Sequence, residues 1–179
     1  MEVLLGHIAD WFTSRLDYFA VFAAADSRLE GWFKAELLVL FDNLKRQGVI
    51  EAYDRELNIQ SPADGKRNQV DFSVQIGEEQ HLCELKALCI SQAAGTPRNL
   101  HFYFRDDGVG IIKDLRKLDA LRHKNSWLLA FVYPEPALAD WLQVTSNLPV
   151  EFRHWQPVTS PQSPARAFFV SLWRSNRAA

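Results

Sequence analysis

The chain has 179 residues, enough for one domain with a substantial core. Its 47% hydrophobic and 23% charged content excludes a disordered protein. The formal net charge of −2 excludes a protein that coats nucleic acid through overall charge, while leaving room for a local basic groove.

Glu2 and Asp10 lie where a secretory signal would carry a positive segment leading into an apolar run. The apolar run from Tyr18 to Ala25 is far short of the ~20 residues of a membrane span. A soluble, cytoplasmic protein without membrane contact is expected. Cys83 and Cys89 have no second cysteine pair with which to build a zinc site and read as reduced core residues.

In chain order, Val3 to Ala25 reads as one buried or half-buried helix. Asp26-Ser27 offers a cap for a second helix, from about Leu29 to Gln47. Phe33, Leu37, Leu40, Phe41 and Leu44 recur there at helical spacing, and Gly48 is placed to end it. Glu36 falls at the margin of that apolar stripe, an unusual place for a carboxylate. Val49 to Ile59 reads as a strand with imperfect alternation at Asp54, Arg55 and Glu56. Turn chemistry follows at residues 61–65, then the basic lead-in Lys66-Arg67.

Val70 to Ile76 alternates cleanly, with Asp71, Ser73 and Gln75 on one face. A hairpin returns into a strand over residues 81–89, which carries Glu84-Leu85-Lys86. Glu84 and Lys86, two apart on a strand, project from one face. An even hairpin loop that pairs Ile76 with His81 sets Asp71 opposite Lys86 and Ser73 opposite Glu84. Asp71, Glu84 and Lys86 then share a face, whereas a one-residue slip would separate them. Leu82 and Leu88 also fall on that face, as expected of a central strand buried on both sides.

Residues 101–104 read as a short strand or a packed lid, and Asp106-Asp107-Gly108 as a turn and helix cap. A helix follows over about Val109 to His123. Its Ile111, Ile112, Leu115, Leu118 and Leu121 form one face, and Lys113, Arg116 and Lys117 lie on or near the other. Trp127 to Tyr133 is a buried-type strand, Ala137 to Leu148 a short helix, and two strand-like runs close the chain. The passage strand–helix–strand is α/β organisation, in a single domain spanning residues 1–179. The five histidines have no paired ligand spacing, and serine or cysteine nucleophile motifs are absent.

Two acids and a lysine on one patch form a candidate metal site with an attached cation, suited to phosphodiester chemistry. The order helix with Glu36, strand, strand with Asp71, hairpin, strand with Glu84-Leu85-Lys86, basic helix, strand resembles the PD-(D/E)xK, or restriction endonuclease-like, nuclease superfamily. The resemblance covers roughly residues 29–133, with Val70 where the name-giving motif has proline. It implies an αβββαβ core with a mixed central sheet flanked by helices, an extra N-terminal helix and C-terminal strands. It implies Mg²⁺ or Mn²⁺ held by Asp71, Glu84 and the backbone carbonyl of Leu85. Lys86 would orient the attacking water and stabilise developing charge, and Glu36 would steer a water or a second metal. Lys113, Arg116 and Lys117, with Lys66 and Arg67, would hold the phosphate backbone.

The activity implied is metal-dependent hydrolysis of nucleic acid, DNA in the first instance, with RNA not separable by sequence. A non-catalytic module binding nucleic acid or protein on the same scaffold is the competing expectation. The sequence leaves a homo-oligomer open.

Overall fold

A computed structural model of the chain describes residues 1–25, 29–63, 65–90, 92–93, 96–97, 100–105, 110–133, 135–146, 148, 150–158 and 168–175. The expected caps at Asp26-Ser27 and at Asp106-Asp107-Gly108 lie outside the described residues.

Three helices come first: α1 (Glu2–Thr13), α2 (Leu16–Ala24) and α3 (Glu30–Arg46). The single helix expected over residues 3–25 is therefore two, separated at Ser14 and Arg15. There Ser14 Oγ donates to the Trp11 carbonyl, and the Arg15 guanidinium donates to both. Strands β1 (Ala52–Gln60), β2 (Arg67–Ile76) and β3 (Glu79–Cys89) follow, then a short pair, β4 (Gln92–Ala93) with β5 (Thr96–Pro97). A 3-10 helix (Leu100–Phe104) stands where a short strand or lid was expected. Next come α4 (Ile111–Ala120), β6 (Ser126–Tyr133), α5 (Leu138–Thr145), β7 (Val150–Val158) and β8 (Phe168–Ser175).

Six strands form one mixed sheet in the order β1-β2-β3-β6-β8-β7, with β3 and β6 parallel and the other neighbours antiparallel. All of β6 from Ser126 to Val132 is buried, which is why Trp127 to Val132 is an unbroken apolar run. One face packs on α1, α2 and α3 through an aromatic block in which Phe33 stacks on Phe131 at 3.9 Å and Phe12 meets both edge-on. The other face packs on α4, α5 and the 3-10 helix, where Trp141 stacks on Trp173.

The α3 helix ends as its sequence requires. Gly48 takes φ 72°, and the Val49 N–H reaches back to the Leu44 carbonyl at 2.9 Å. Gly110 enters α4 at φ 103°, where an added Cβ would lie 2.4 Å from the Tyr103 carbonyl oxygen.

The β2–β3 hairpin turns on two residues, Gly77 and Glu78, with Ile76 opposite Glu79 and Val74 opposite His81. Gly77 has φ 58°, which fits the first position of a two-residue turn that demands glycine. The expected pairing of Ile76 with His81 is thus displaced by two residues along β3, and Ser73 faces Leu82, not Glu84. Because the displacement is even, the residues paired between Phe72–Ile76 and Glu79–Cys83 keep their faces.

The β1–β2 ladder holds one register but skips the pair Glu56 and Asp71. Glu56 has φ 53°, left-handed backbone that costs a non-glycine residue roughly 1–2 kcal/mol. Side chains change face across this gap. Tyr53, Phe72 and Val74 pack with the α1–α3 core, and Leu57, Ile59 and Val70 with the α4–α5 core. Strict alternation would keep Val70 and Phe72 together. Both strands therefore turn over by one residue at Glu56 and Asp71.

Candidate active site at the split between two strands

The ladder between β2 and β3 ends at Phe72 opposite Cys83, although β3 continues to Cys89. Asp71 is the first residue beyond that last rung. Its Oδ2 accepts the Leu85 N–H at 2.8 Å, replacing the backbone acceptor that the departing strand no longer supplies. In an antiparallel strand a residue's N–H and C=O point toward the same neighbour, so the Leu85 carbonyl faces this gap too. Asp71 Oδ1 lies 2.6 Å from the Lys34 ammonium on α3.

Glu84 and Lys86 point to the α4 face. Cys83 and Leu85, their neighbours on β3, fill the α1–α3 core, while Leu82 and Leu88 fill the α4–α5 core. Glu84 is only 5% exposed, and its Oε1 lies 2.5 Å from the Lys117 ammonium. Lys86 reaches Asp114 Oδ2 on α4 at 3.1 Å and approaches Glu30 Oε2 on α3 at 3.9 Å. Glu30 also contacts Lys34 at 3.3 Å, one helical turn on. Four carboxylates (Glu30, Asp71, Glu84, Asp114) and three ammoniums (Lys34, Lys86, Lys117) are thus linked by ion pairs near the end of the β2–β3 ladder.

Electrostatics follow from that crowding. Burial pushes the Glu84 carboxyl up to about 7, with Lys117 opposing and the charges of Asp71 and Asp114 adding to the rise. Burial raises Asp114 as well, against the pull of Lys86 and Lys117. For Lys86, burial acts to lower the ammonium, but Asp114 and Glu30 outweigh it and the net shift is upward. Lys34 is raised in the same way, Asp71 and Glu30 overcoming burial. Both lysines stay charged.

The sequence-derived residues divide clearly. Asp71 meets the Leu85 amide from beyond the ladder and does not lie opposite Lys86, while Glu84 and Lys86 meet Lys117 and Asp114 on α4. Lys117 is turned inward onto Glu84. Lys113 and Arg116 are exposed on α4, and Lys66 and Arg67 are exposed at the start of β2. Glu36 is not in the group. Its Oε2 accepts from Trp11 Nε1 at 2.9 Å and from Arg15 Nε at 2.5 Å, clasping α3 to α1. At 100° per residue Glu36 lies about 200° around the helix from Lys34. The carboxylate that α3 directs to the site is Glu30.

Glu30, Lys34 and Asp114 have no place in the sequence-derived site. Their available signals are the Glu30/Lys34 pair one turn apart and Asp114 among the apolar positions of α4.

Whether these residues suit a divalent metal can be judged from their unsatisfied atoms. The buried Glu84 Oε1 and Asp114 Oδ2 have no aligned hydrogen-bond donor, the lysine contacts being ionic and off the hydrogen-bond direction. Among the described residues, no group of three or more His, Cys, Asp or Glu side chains forms a cage for a metal. Carboxylates and a backbone carbonyl are donors of the kind Mg²⁺ takes, while both Asp71 oxygens are engaged, Oδ2 by the Leu85 N–H and Oδ1 by Lys34.

Among the described residues, no helix is long and apolar enough to cross a membrane. No protein-family model, curated protein or solved structure matches this chain.

Proposed function

We propose that the protein is a metal-dependent phosphodiesterase of PD-(D/E)xK type that hydrolyses nucleic acid, DNA in the first instance. The observation that carries this reading is the Asp71–Leu85 junction beside Glu84 and Lys86. Asp71 accepts the Leu85 N–H there, and the flanking Glu84 and Lys86 meet Lys117 and Asp114 on α4. The order α3-β1-β2-β3-α4-β6 supports it, running αβββαβ as a restriction endonuclease-like core does.

Asp71, Glu84 and the Leu85 carbonyl would hold Mg²⁺ or Mn²⁺. The ion supplies a water of lowered pKa and neutralises charge on the phosphate. Lys86 remains protonated beside Asp114, so it acts as a fixed positive charge toward the phosphoryl oxygens and does not serve as a general base. Asp114 and Glu30 hold that ammonium in place from two helices. Lys34 and Lys117 balance the carboxylates and offer further cations at the gap. Lys113, Arg116, Lys66 and Arg67 supply exposed charge for the flanking phosphates.

One observation favours a non-catalytic nucleic-acid- or protein-binding module instead. The lysines meet the carboxylates one for one apart from a single acid, so the charges balance to −1 without a metal. Incubation of linear and nicked DNA with Mg²⁺ separates the two readings. Cleavage by the wild type that is lost in a folded Asp71→Ala variant supports the enzyme. Binding without cleavage, undiminished by EDTA, supports the module.

A further inference from the structure

Beside Asp71, on the side of the sheet edge, lies a cleft of about 290 Å³ between α3 and β1. Ala35, Leu38 and Phe72 make an apolar lining, and Gly31 leaves open space above the first turns of α3. Lys34 and Asp71 also line it, joined at 2.6 Å. Arg55 and Glu56 line it from β1, an exposed ion pair at 2.6 Å.

We propose that this cleft is a pocket for one nucleotide next to the scissile phosphate, seating its base against the apolar lining and its phosphate at Lys34. This rests on the phosphodiesterase reading and extends it to the substrate strand. A nucleobase has apolar faces and a rim of donors and acceptors, and the cleft offers that same division. Ala35 and Leu38 meet the faces, over a floor closed by the buried Phe72; the Arg55 guanidinium donates and the Glu56 carboxylate accepts at the rim. Ligand pockets run from about 300 to 1,000 Å³, so this volume takes a single nucleoside and not a stacked run. The backbone supports the assignment independently. Glu56 holds its costly φ of 53° at the rung where Asp71 leaves the ladder, so one distortion shapes the site and the cleft wall together.

The test is an NMR titration with deoxyadenosine 5′-monophosphate, with deoxyribose 5-phosphate as the base-free probe. Wild-type protein is expected to show perturbed amides at Gly31, Lys34 and Arg55 with the nucleotide, and little with the sugar phosphate. Ala35→Trp, at an exposed helix position, fills the cleft and is expected to weaken binding by about tenfold or more. Arg55→Met tests the rim without filling the cleft and is expected to weaken binding in the same direction. Perturbations confined elsewhere, equal responses to both probes, or nucleotide binding unchanged in Ala35→Trp overturn the pocket.

Cleavage separates this inference from the reading beneath it. Mg²⁺-dependent cleavage that dies in Asp71→Ala but keeps its KM in Ala35→Trp removes the pocket and leaves the carboxylate site. Nucleotide seated in the cleft of a protein that cleaves nothing does the reverse.

Discussion

The Asp71 carboxylate and the Leu85 amide are joined across the split in the sheet, Oδ2 accepting the N–H at 2.8 Å. A side chain there completes a backbone ladder, so Asp71 has a structural duty as well as a chemical one. Asn at this position keeps an acceptor for Leu85 but loses the charge. Asp71→Asn is therefore expected to lose cleavage with little loss of stability. Asp71→Ala leaves the Leu85 N–H unpaired as well, at a cost of about 1–3 kcal/mol. Urea denaturation beside a cleavage assay checks both. Equal stability of the two variants would show that the hydrogen bond contributes nothing.

Glu30 and Glu36 share a helix and are expected to behave oppositely. Glu36→Gln weakens the clasp on Arg15 and Trp11, costing about 1–3 kcal/mol of stability while leaving kcat unchanged. Glu30→Gln removes a charge near Lys86 and Lys34, and is expected to lower kcat with a smaller change in stability. Thermal melts with steady-state kinetics distinguish them, and a kcat loss in Glu36→Gln would restore it to the site.

Two buried groups give opposite pH dependences. Burial, with the positive N-terminal amine nearby, drops His81 from 6.5 to about 4, and its Nδ1 accepts from Trp127 Nε1 at 3.0 Å. Between those values the unfolded chain takes a proton that the native state refuses, so acidification removes stability. Glu84 stands at about 7 against an ordinary 4.5, so between those values the native state takes a proton that the unfolded chain lacks. Acidification there adds stability. Each effect amounts to about 3 kcal/mol at full extent. Relative to wild type, Glu84→Gln is expected to lose stability more steeply from pH 7 to 4.5, and His81→Gln less steeply from pH 6.5 to 4. Urea midpoints across pH measure both, and parallel curves for all three proteins would contradict the assignment.

The contrast between Asp71 and Glu36 shows what the sequence could convey. Face is a matter of parity along a paired stretch, so an even hairpin fixes the faces of β2 and β3 only as far as their ladder runs, to Phe72 and Cys83. Register is not, because loops differing by two residues leave the same alternation, and only the Gly77-Glu78 turn decides between them. Alternation also could not reveal that Val70 and Phe72 lie on opposite faces, since that depends on the turnover at Glu56 and Asp71. Glu36 sits at the margin of an apolar stripe because it serves α1, a tertiary partner that the periodicity of α3 does not identify. Lys117 reads as solvated from α4 alone, and only the neighbouring β3 shows it turned to Glu84.

Gly110 caps the start of α4 in close contact with the backbone of Tyr103. A Cβ there would lie 2.4 Å from the Tyr103 carbonyl, and Tyr103 itself is fastened to Cys89 by hydrogen bonds to both its N–H and its carbonyl. Gly110→Ala must move one of these backbones or leave φ 103°. A loss of roughly 2–4 kcal/mol is expected. Because α4 carries Asp114 and Lys117, cleavage is expected to fall with it. A variant as stable as wild type in urea would contradict the close approach.

Anomalous diffraction from crystals soaked in Mn²⁺ addresses the central claim most directly. A metal-dependent phosphodiesterase built on Asp71, Glu84 and Leu85 predicts a peak within about 2.5 Å of both carboxylates, with the Lys34 and Lys117 ammoniums displaced from them. No peak in that gap, with Lys34 still on Asp71 and Lys117 still on Glu84, would contradict it.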